Sequence, residues 1–239
     1  IVNFKLFLQS KFRNIYISLN FKVVISTTIF MILFGAFQFM LSEWSNAHTI
    51  GKESYENKII ISFFHSFNRT SGFSLIDYNL IHNSTSVTTM MLMFVGGGSL
   101  SVSGGIKVGT LTVIFAALIS NIMGKEDITI FKRTLSKEAT RRALIIFIFS
   151  ILVIIFSFMI ISAFEPDNIF RELLFECVSA FGNVGLTTGI TSELSGVSKI
   201  FIIFLMIIGR FGPLLLALMF IGKNYKVNAK PAYENIRLG

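Results

Sequence analysis

The sequence predicts an all-α membrane protein built from two parallel repeats, each an outer helix, a re-entrant pore loop and an inner helix. Three observations carry that expectation. Of the 239 residues, 53% are hydrophobic and 14% charged, whereas a soluble domain of this size carries about 25% charge. The stretch S-F-N-R-T-S-G-F-S at 66–74 returns, altered, as S-A-F-G-N-V-G-L-T at 179–187. Gly72 then aligns with Gly185 at a spacing of 113 residues, and 92–96 aligns with 205–209 at the same spacing. Two motifs in one register indicate an internal duplication. Finally, each glycine turn follows an apolar stretch of only ten residues, 59–68 and 173–182, about 15 Å of helix, which reaches halfway through a membrane core.

Residues 1–22 are basic, with Lys5, Lys11, Arg13 and Lys22 and no acid. Ile1 in place of an initiator methionine suggests a partial chain. The run 23–42 is uncharged and long enough to cross a core of about 30 Å. No small-residue cleavage site follows it and further spans do, so it is read as a membrane helix rather than a signal peptide. After the mixed-charge stretch 43–58 come the first half-length helix and its turn. Residues 78–106 are uncharged, and apolar character resumes over 108–123. One helix from 86 to 123 would be about 57 Å long, far beyond the membrane core. The run G-G-G-S-L-S-V-S-G-G at 96–105 does not hold a regular helix. It predicts two half-helices joined by a loop inside the membrane, tolerated where the backbone is buried in protein or lines a wet cavity. The first repeat is therefore placed at 23–123. A basic loop, 124–142, leads to the second repeat at 143–222, which comprises the span 143–164, the acidic stretch 165–172, the second half-length helix and turn, and the span 199–222 with Arg210 in its middle. The tail, 223–239, is basic again.

Lysine and arginine number four before the first span, six in the central loop and four in the tail, against four on the alternate side, Lys52, Lys58, Arg171 and Lys199. The excess of positive charge on cytoplasmic loops puts the termini of this chain and the central loop in the cytoplasm. Each repeat then crosses an even number of times, so both point the same way, with their symmetry axis along the membrane normal. Secondary transporters more often use inverted repeats. The net charge of +8 reads as topology rather than as a nucleic-acid surface.

Parallel repeats with re-entrant loops facing one axis describe a pore. The turns Thr70-Ser71-Gly72-Phe73 and Asn183-Val184-Gly185-Leu186 are uncharged, which suits carbonyl coordination of a monovalent cation, whereas a divalent site more often uses rings of Asp or Glu. Taken alone, each tetrapeptide also reads as an ordinary interhelical turn. Residues Gly96, Gly97, Gly98, Ser99, Ser101, Ser103, Gly104 and Gly105 read as a mobile constriction below such a filter; close helix packing by small residues is the alternative. The following Ile106-Lys107 lacks the G-K-[ST] ending of a phosphate loop. Lys107 ends the loop. Arg210 at mid-span is a functional candidate, because a central arginine costs about 2.5–3.5 kcal/mol on insertion scales; a structural arginine bonded to buried carbonyls is the other reading. Arg69 and Glu176 are expected to brace the half-length helices. His48, His65 and His82 are scattered and suggest no metal site. The single cysteine, Cys177, reads as a small buried residue. No nucleophile–base–acid constellation is visible, so an intramembrane enzyme built on the Gly/Ser loop is disfavoured. A non-conducting scaffold and an ion-coupled secondary transporter of another family remain alternatives.

Four segments together resemble the Ktr/Trk/HKT superfamily of potassium-uptake proteins: H-S-F-N-R-T-S-G-F at 65–73, M-F-V-G-G-G-S-L-S-V-S-G-G-I-K at 93–107, S-A-F-G-N-V-G-L-T-T-G at 179–189 and I-G-R-F-G-P-L at 208–214. The resemblance runs over nearly the whole chain and is strongest to the membrane subunits of bacterial Ktr systems. It implies four repeats around one pseudo-fourfold pore in a multi-pass plasma-membrane protein, of which this chain matches the third and fourth; the first two repeats are missing. It also implies that the glycines matching Gly72 and Gly185 belong to a K+ selectivity filter, that 96–105 is an intramembrane gate, and that Arg210 helps close it. Further implications are a membrane homodimer on a KtrA-like cytosolic nucleotide-binding regulatory ring, uptake with Na+ as a coupling ion, and no organic cofactor.

Overall fold

A computed structural model describes residues 18–98, 101–125 and 127–211. Residues 1–17 of the N-terminal basic segment, Ser99, the end of the last predicted span and the basic tail lie outside the described residues. Helix α1 (Leu19–Glu43) is followed by α2 (Tyr55–Phe67), a 3-10 turn (Asn68–Thr70), α3 (Asn83–Phe94) and α4 (Val108–Ile122). A two-stranded hairpin, β1 (Thr129–Ile130) and β2 (Arg133–Thr134), precedes α5 (Lys137–Phe164), α6 (Phe170–Gly182), a second 3-10 turn (Ile190–Ser192) and α7 (Gly196–Phe211). In both halves the order is therefore a long helix, a thirteen-residue helix, a turn and a further helix.

Helix starts lie upstream of the apolar runs because capping residues, not hydropathy, set them. Ser18, Ser54 and Ser136 each precede a helix and accept a hydrogen bond from its third residue, Phe21, Asn57 and Ala139 respectively. This satisfies one of the orphan N–H groups of a first turn. Helix α5 thus begins at Lys137 rather than at 143, with Lys137, Glu138, Arg141 and Arg142 in its first turns. The hairpin inside the central basic loop was not foreseen. Its two turn residues, Phe131 and Lys132, both have positive φ, 49° and 63°, the geometry of a type I′ turn that usually carries Asn-Gly.

Helices α1 and α5 are long and apolar enough to cross a membrane. They carry exposed apolar side chains outward, Phe30, Phe37 and Leu41 on α1 and Leu152, Phe156 and Met159 on α5, a surface that a soluble monomer rarely presents. Inside, α1 packs on α2, and α3 packs on α6, which in turn packs on α7 and α5. The main core gathers Met93, Phe175, Phe181, Leu173, Ile161 and Leu205, all at or near full burial. Phe94 links it to a smaller core of Met31, Leu92, Val95, Ile106 and Val108. The two turns and the Gly/Ser loop are suspended on these cores.

Candidate functional site

Helix α2 runs into its 3-10 turn and stops at Gly72, whose φ of +69° is open to glycine at little cost. Helix α6 stops at Gly182, because Asn183 adopts a left-handed conformation and the Val184 N–H bonds back to Ser179 O at 3.0 Å. From there the chain is extended and alternates: Val184, Leu186, Thr188 and Ile190 are buried while Gly185, Thr187 and Gly189 are exposed. Gly185 has φ +92°. The two turns meet backbone to backbone: a Cβ added at Gly72 would lie 2.4 Å from the Val184 carbonyl oxygen and 3.3 Å from the Gly185 Cα. The fold thus brings the predicted tetrapeptides 70–73 and 183–186 together. Around the first turn Ser71 and Phe73 are exposed; around the second, Val184 and Leu186 are buried in the main core.

The side chains expected to brace these turns do so, with opposite charge. Arg69 is buried, and its Nη1 donates to Leu92 O at 3.2 Å and Val95 O at 2.6 Å. It fastens the last turn of α3 to the end of α2. In the second half Asn183 Nδ2 reaches the neighbouring helix in a similar way, donating to Met206 O at 2.9 Å. Glu176, also buried, accepts from Thr187 Oγ1 at 2.5 Å, the Thr188 N–H at 3.0 Å and Thr191 Oγ1 at 2.6 Å. It holds the strand that follows Gly185. The sequence reading missed Thr187, Thr188 and Thr191; the T-T-G run after N-V-G-L was the available signal. His65 is buried, stacks on Phe39 and hydrogen-bonds Tyr78 Oη at 2.9 Å.

Bonds from a charged donor are worth about 1.5–3 kcal/mol each, and a buried acceptor left bare costs about 1–3 kcal/mol. Arg69→Ala should therefore be among the most destabilising substitutions in the first turn, by about 2–4 kcal/mol, with Arg69→Lys recovering part. Thermal unfolding of the purified protein checks this. An unchanged midpoint for Arg69→Ala would show that the two carbonyls do not need it.

The Gly/Ser loop leaves α3 and returns to α4 through a parallel pairing of Val95 with Ile106. Gly96 N–H donates to Ile106 O at 2.8 Å, and Ile106 N–H to Phe94 O at 3.0 Å. Beyond that pairing the Val108 N–H donates to Gly97 O at 3.1 Å, and serines add to it: Ser103 Oγ accepts from Gly97 N–H at 2.6 Å and lies 3.0 Å from Ser101 Oγ. Lys107 closes the loop, its Nζ donating to Ser101 O at 3.0 Å and Ser103 O at 2.6 Å. The loop lies directly against the second turn. Gly105 N–H donates to Phe181 O at 3.2 Å, and a Cβ at Gly104 would be 2.7 Å from both the Gly182 carbonyl oxygen and Asn183 Nδ2. Gly98 and Gly97 sit at the loop's partly exposed side. Arg210 is exposed and, among the described residues, makes no hydrogen bond to the loop. The cation that engages the described loop is Lys107.

The family model for TrkH, described as a cation transport protein, matches residues 2–227. The chain is 34% identical over 221 residues to the Ktr system potassium uptake protein B of Bacillus subtilis, covering 92% of this chain and 48% of that protein. It is 33% identical to the potassium/sodium uptake protein NtpJ of Enterococcus hirae, covering 93% of this chain and 51% of that protein. The chain thus spans about half the length of these relatives. The crystal structure of the potassium transporter TrkH from Vibrio parahaemolyticus superposes with a TM-score of 0.60 at 16% identity, over 85% of this chain and 44% of that one, which shows a shared fold.

Proposed function

Because the chain belongs to the TrkH family of cation transport proteins, we propose that it forms half of a pore that takes potassium into the cell. Two outer-helix, pore-loop and inner-helix repeats, α1 to α4 and α5 to α7, point the same way across the plasma membrane, with the basic segment around 125–142 and both ends of this chain in the cytoplasm. The selectivity filter is lined by the backbone of Thr70, Ser71, Gly72 and Phe73 and of Asn183, Val184, Gly185 and Leu186. The loop from Gly96 to Gly105 is the gate, latched by Lys107, with Arg210 adding a fixed positive charge beside it.

One observation carries this reading: two turns separated by 113 residues in sequence meet at Gly72 with the Val184 carbonyl and Gly185 as nearest neighbours. Carbonyls that converge there replace part of a cation's hydration shell. The loop lies against the second of these turns, where a constriction controls what leaves the filter. Since the chain spans about half of its relatives, two further repeats complete the ring in the whole protein. The same family supports a membrane dimer docked on a cytosolic nucleotide-binding ring of the KtrA type, with sodium as the coupling ion.

Cation flux in liposomes tests the proposal. The whole protein should take up potassium in preference to sodium, and the uptake of each should respond to the other. Liposomes that take up neither ion would leave a non-conducting scaffold. Uptake that requires a strict counter-ion and is unaffected by Gly72 and Gly185 substitutions would point to a secondary transporter.

A further inference from the structure

Each long helix closes on a glutamate with an asparagine three residues later: Glu43 and Asn46 at the end of α1, Glu165 and Asn168 at the end of α5. Glu43 is fully buried. Its Oε1 accepts from the His82 N–H at 2.9 Å and from the Thr85 hydroxyl, and its Oε2 from Asn46 Nδ2 at 2.7 Å and Thr49 Oγ1 at 2.8 Å. Glu165 repeats the pattern. Its Oε1 accepts from the Ser195 N–H at 2.7 Å and Ser198 Oγ at 2.7 Å, and its Oε2 from Asn168 Nδ2 at 3.4 Å. His82 caps the start of α3, and Ser195 immediately precedes α7. His82 and Ser195 are 113 residues apart, as are Thr85 and Ser198, the register of the two glycine turns.

The glutamates themselves are 122 residues apart, nine out of that register. The first half carries a longer connection between its long helix and its short one. A search at a single spacing therefore passes over the pair, and the fold shows it.

We propose that Glu43 and Glu165 are equivalent positioning residues, each clasping the start of the helix that follows a glycine turn to the end of the long helix that precedes it. The physical basis is the unfilled N–H groups of a first helical turn, together with the partial positive charge of a helix N-terminus. A carboxylate satisfies both. Ordinary caps come from the residue just before the helix; here the acceptor comes from the end of the long helix two helices earlier in the chain, so the cap is also a tertiary fastening. Helix α3 is then held at both ends by groups that suit its dipole, Glu43 at its start and Arg69 at its last carbonyls. The Ser195 N–H and the Ser198 and Ser195 hydroxyls hold the Glu165 carboxyl below its ordinary range, as expected for a charged acceptor in use.

The clasp does not depend on transport, and hydrogen exchange tests it without any cation flux. In the whole protein, Glu43→Gln and Glu165→Gln each place an amide where a carboxylate served several donors, four at Glu43 and three at Glu165. Hydrogen exchange at amides 82–86 in the first variant and 195–199 in the second should accelerate about tenfold or more, the size expected for losing a charged hydrogen bond. Glu165→Asp keeps the charge and should recover part of the protection. In liposomes both Gln variants should raise the KM for the transported cation and leave the maximal rate per folded molecule unchanged, a split that general loss of folded protein does not produce. Where Glu43→Gln does not fold, Thr85→Ala replaces it in the first half. Unchanged exchange in both halves overturns the clasp, and an effect confined to one half overturns the equivalence. The exchange readout holds even if the protein carries no cation.

Discussion

Gly72→Ala should cost the pore its choice of ion. A left-handed φ of +69° costs a non-glycine residue about 1–2 kcal/mol. The larger effect is steric: the new methyl would lie 2.4 Å from the Val184 carbonyl oxygen. Both are backbone-borne, so neither can rotate away, and one turn must move by about 1 Å. Displacements of that size in a positioned site cost about 100-fold. Potassium over sodium discrimination should therefore fall by one to two orders of magnitude. Gly185→Ala should be milder: its φ of +92° is strained, but the nearest atom to an added methyl is the Gly72 Cα at 4.0 Å. A weakening of about tenfold corresponds to that strain alone. The check is initial uptake rates in potassium and in sodium for both variants. If Gly72→Ala transports with normal preference, these turns are not the filter.

Shortening the loop between Gly97 and Gly104 should raise maximal potassium flux, with little change in ion preference and weaker dependence on any cytosolic partner. The loop has a fold of its own, so a finer substitution is available. Lys107→Ala removes two charge-assisted bonds, to Ser101 O and Ser103 O, and leaves the Val95–Ile106 pairing in place. At about 1.5–3 kcal/mol per bond, loss of one bond's worth of closed-state stabilisation shifts the open fraction about tenfold or more. Arg210→Ala should raise flux less, since among the described residues Arg210 makes no hydrogen bond to the loop. Flux measured in liposomes, with thermal unfolding to confirm folded protein, decides. Unchanged flux in both the shortened loop and Lys107→Ala would make the loop packing material.

What the sequence disclosed and what it withheld divide along physical lines. The meeting of Gly72 with Gly185 was legible because both turns need glycine and share one spacing. The break between α3 and α4 was legible because five glycines and three serines in ten residues cannot hold a helix. Helix starts were not, because hydropathy reports where lipid begins while Ser54 and Ser136 report where hydrogen bonding begins. The 129–134 hairpin was hidden because Phe131-Lys132 gives no turn signal. Within the site, Arg69 and Glu176 were read as braces from their type and place, but their partners, two carbonyls and three threonines, lie beyond a glycine turn, and how the chain folds back after it decides the contact. The bracing of Lys107 onto its own loop was equally invisible, since a lysine's reach depends on how the chain turns beneath it.

The contact between Gly104 and Gly105 on one side and Phe181, Gly182 and Asn183 on the other has a thermodynamic corollary. A loop that leaves this position removes a hydrogen bond from the residues that shape the second turn, so the free energy of loop displacement includes a contribution from the turn. Linkage makes that contribution reciprocal: if displacement changes a cation's affinity by some factor, the cation changes the displacement equilibrium by the same factor. Occupancy would then act as its own effector. Potassium titrated against hydrogen exchange at Gly105 should show protection rising or falling with occupancy, while a flat response would mean that the two equilibria are independent.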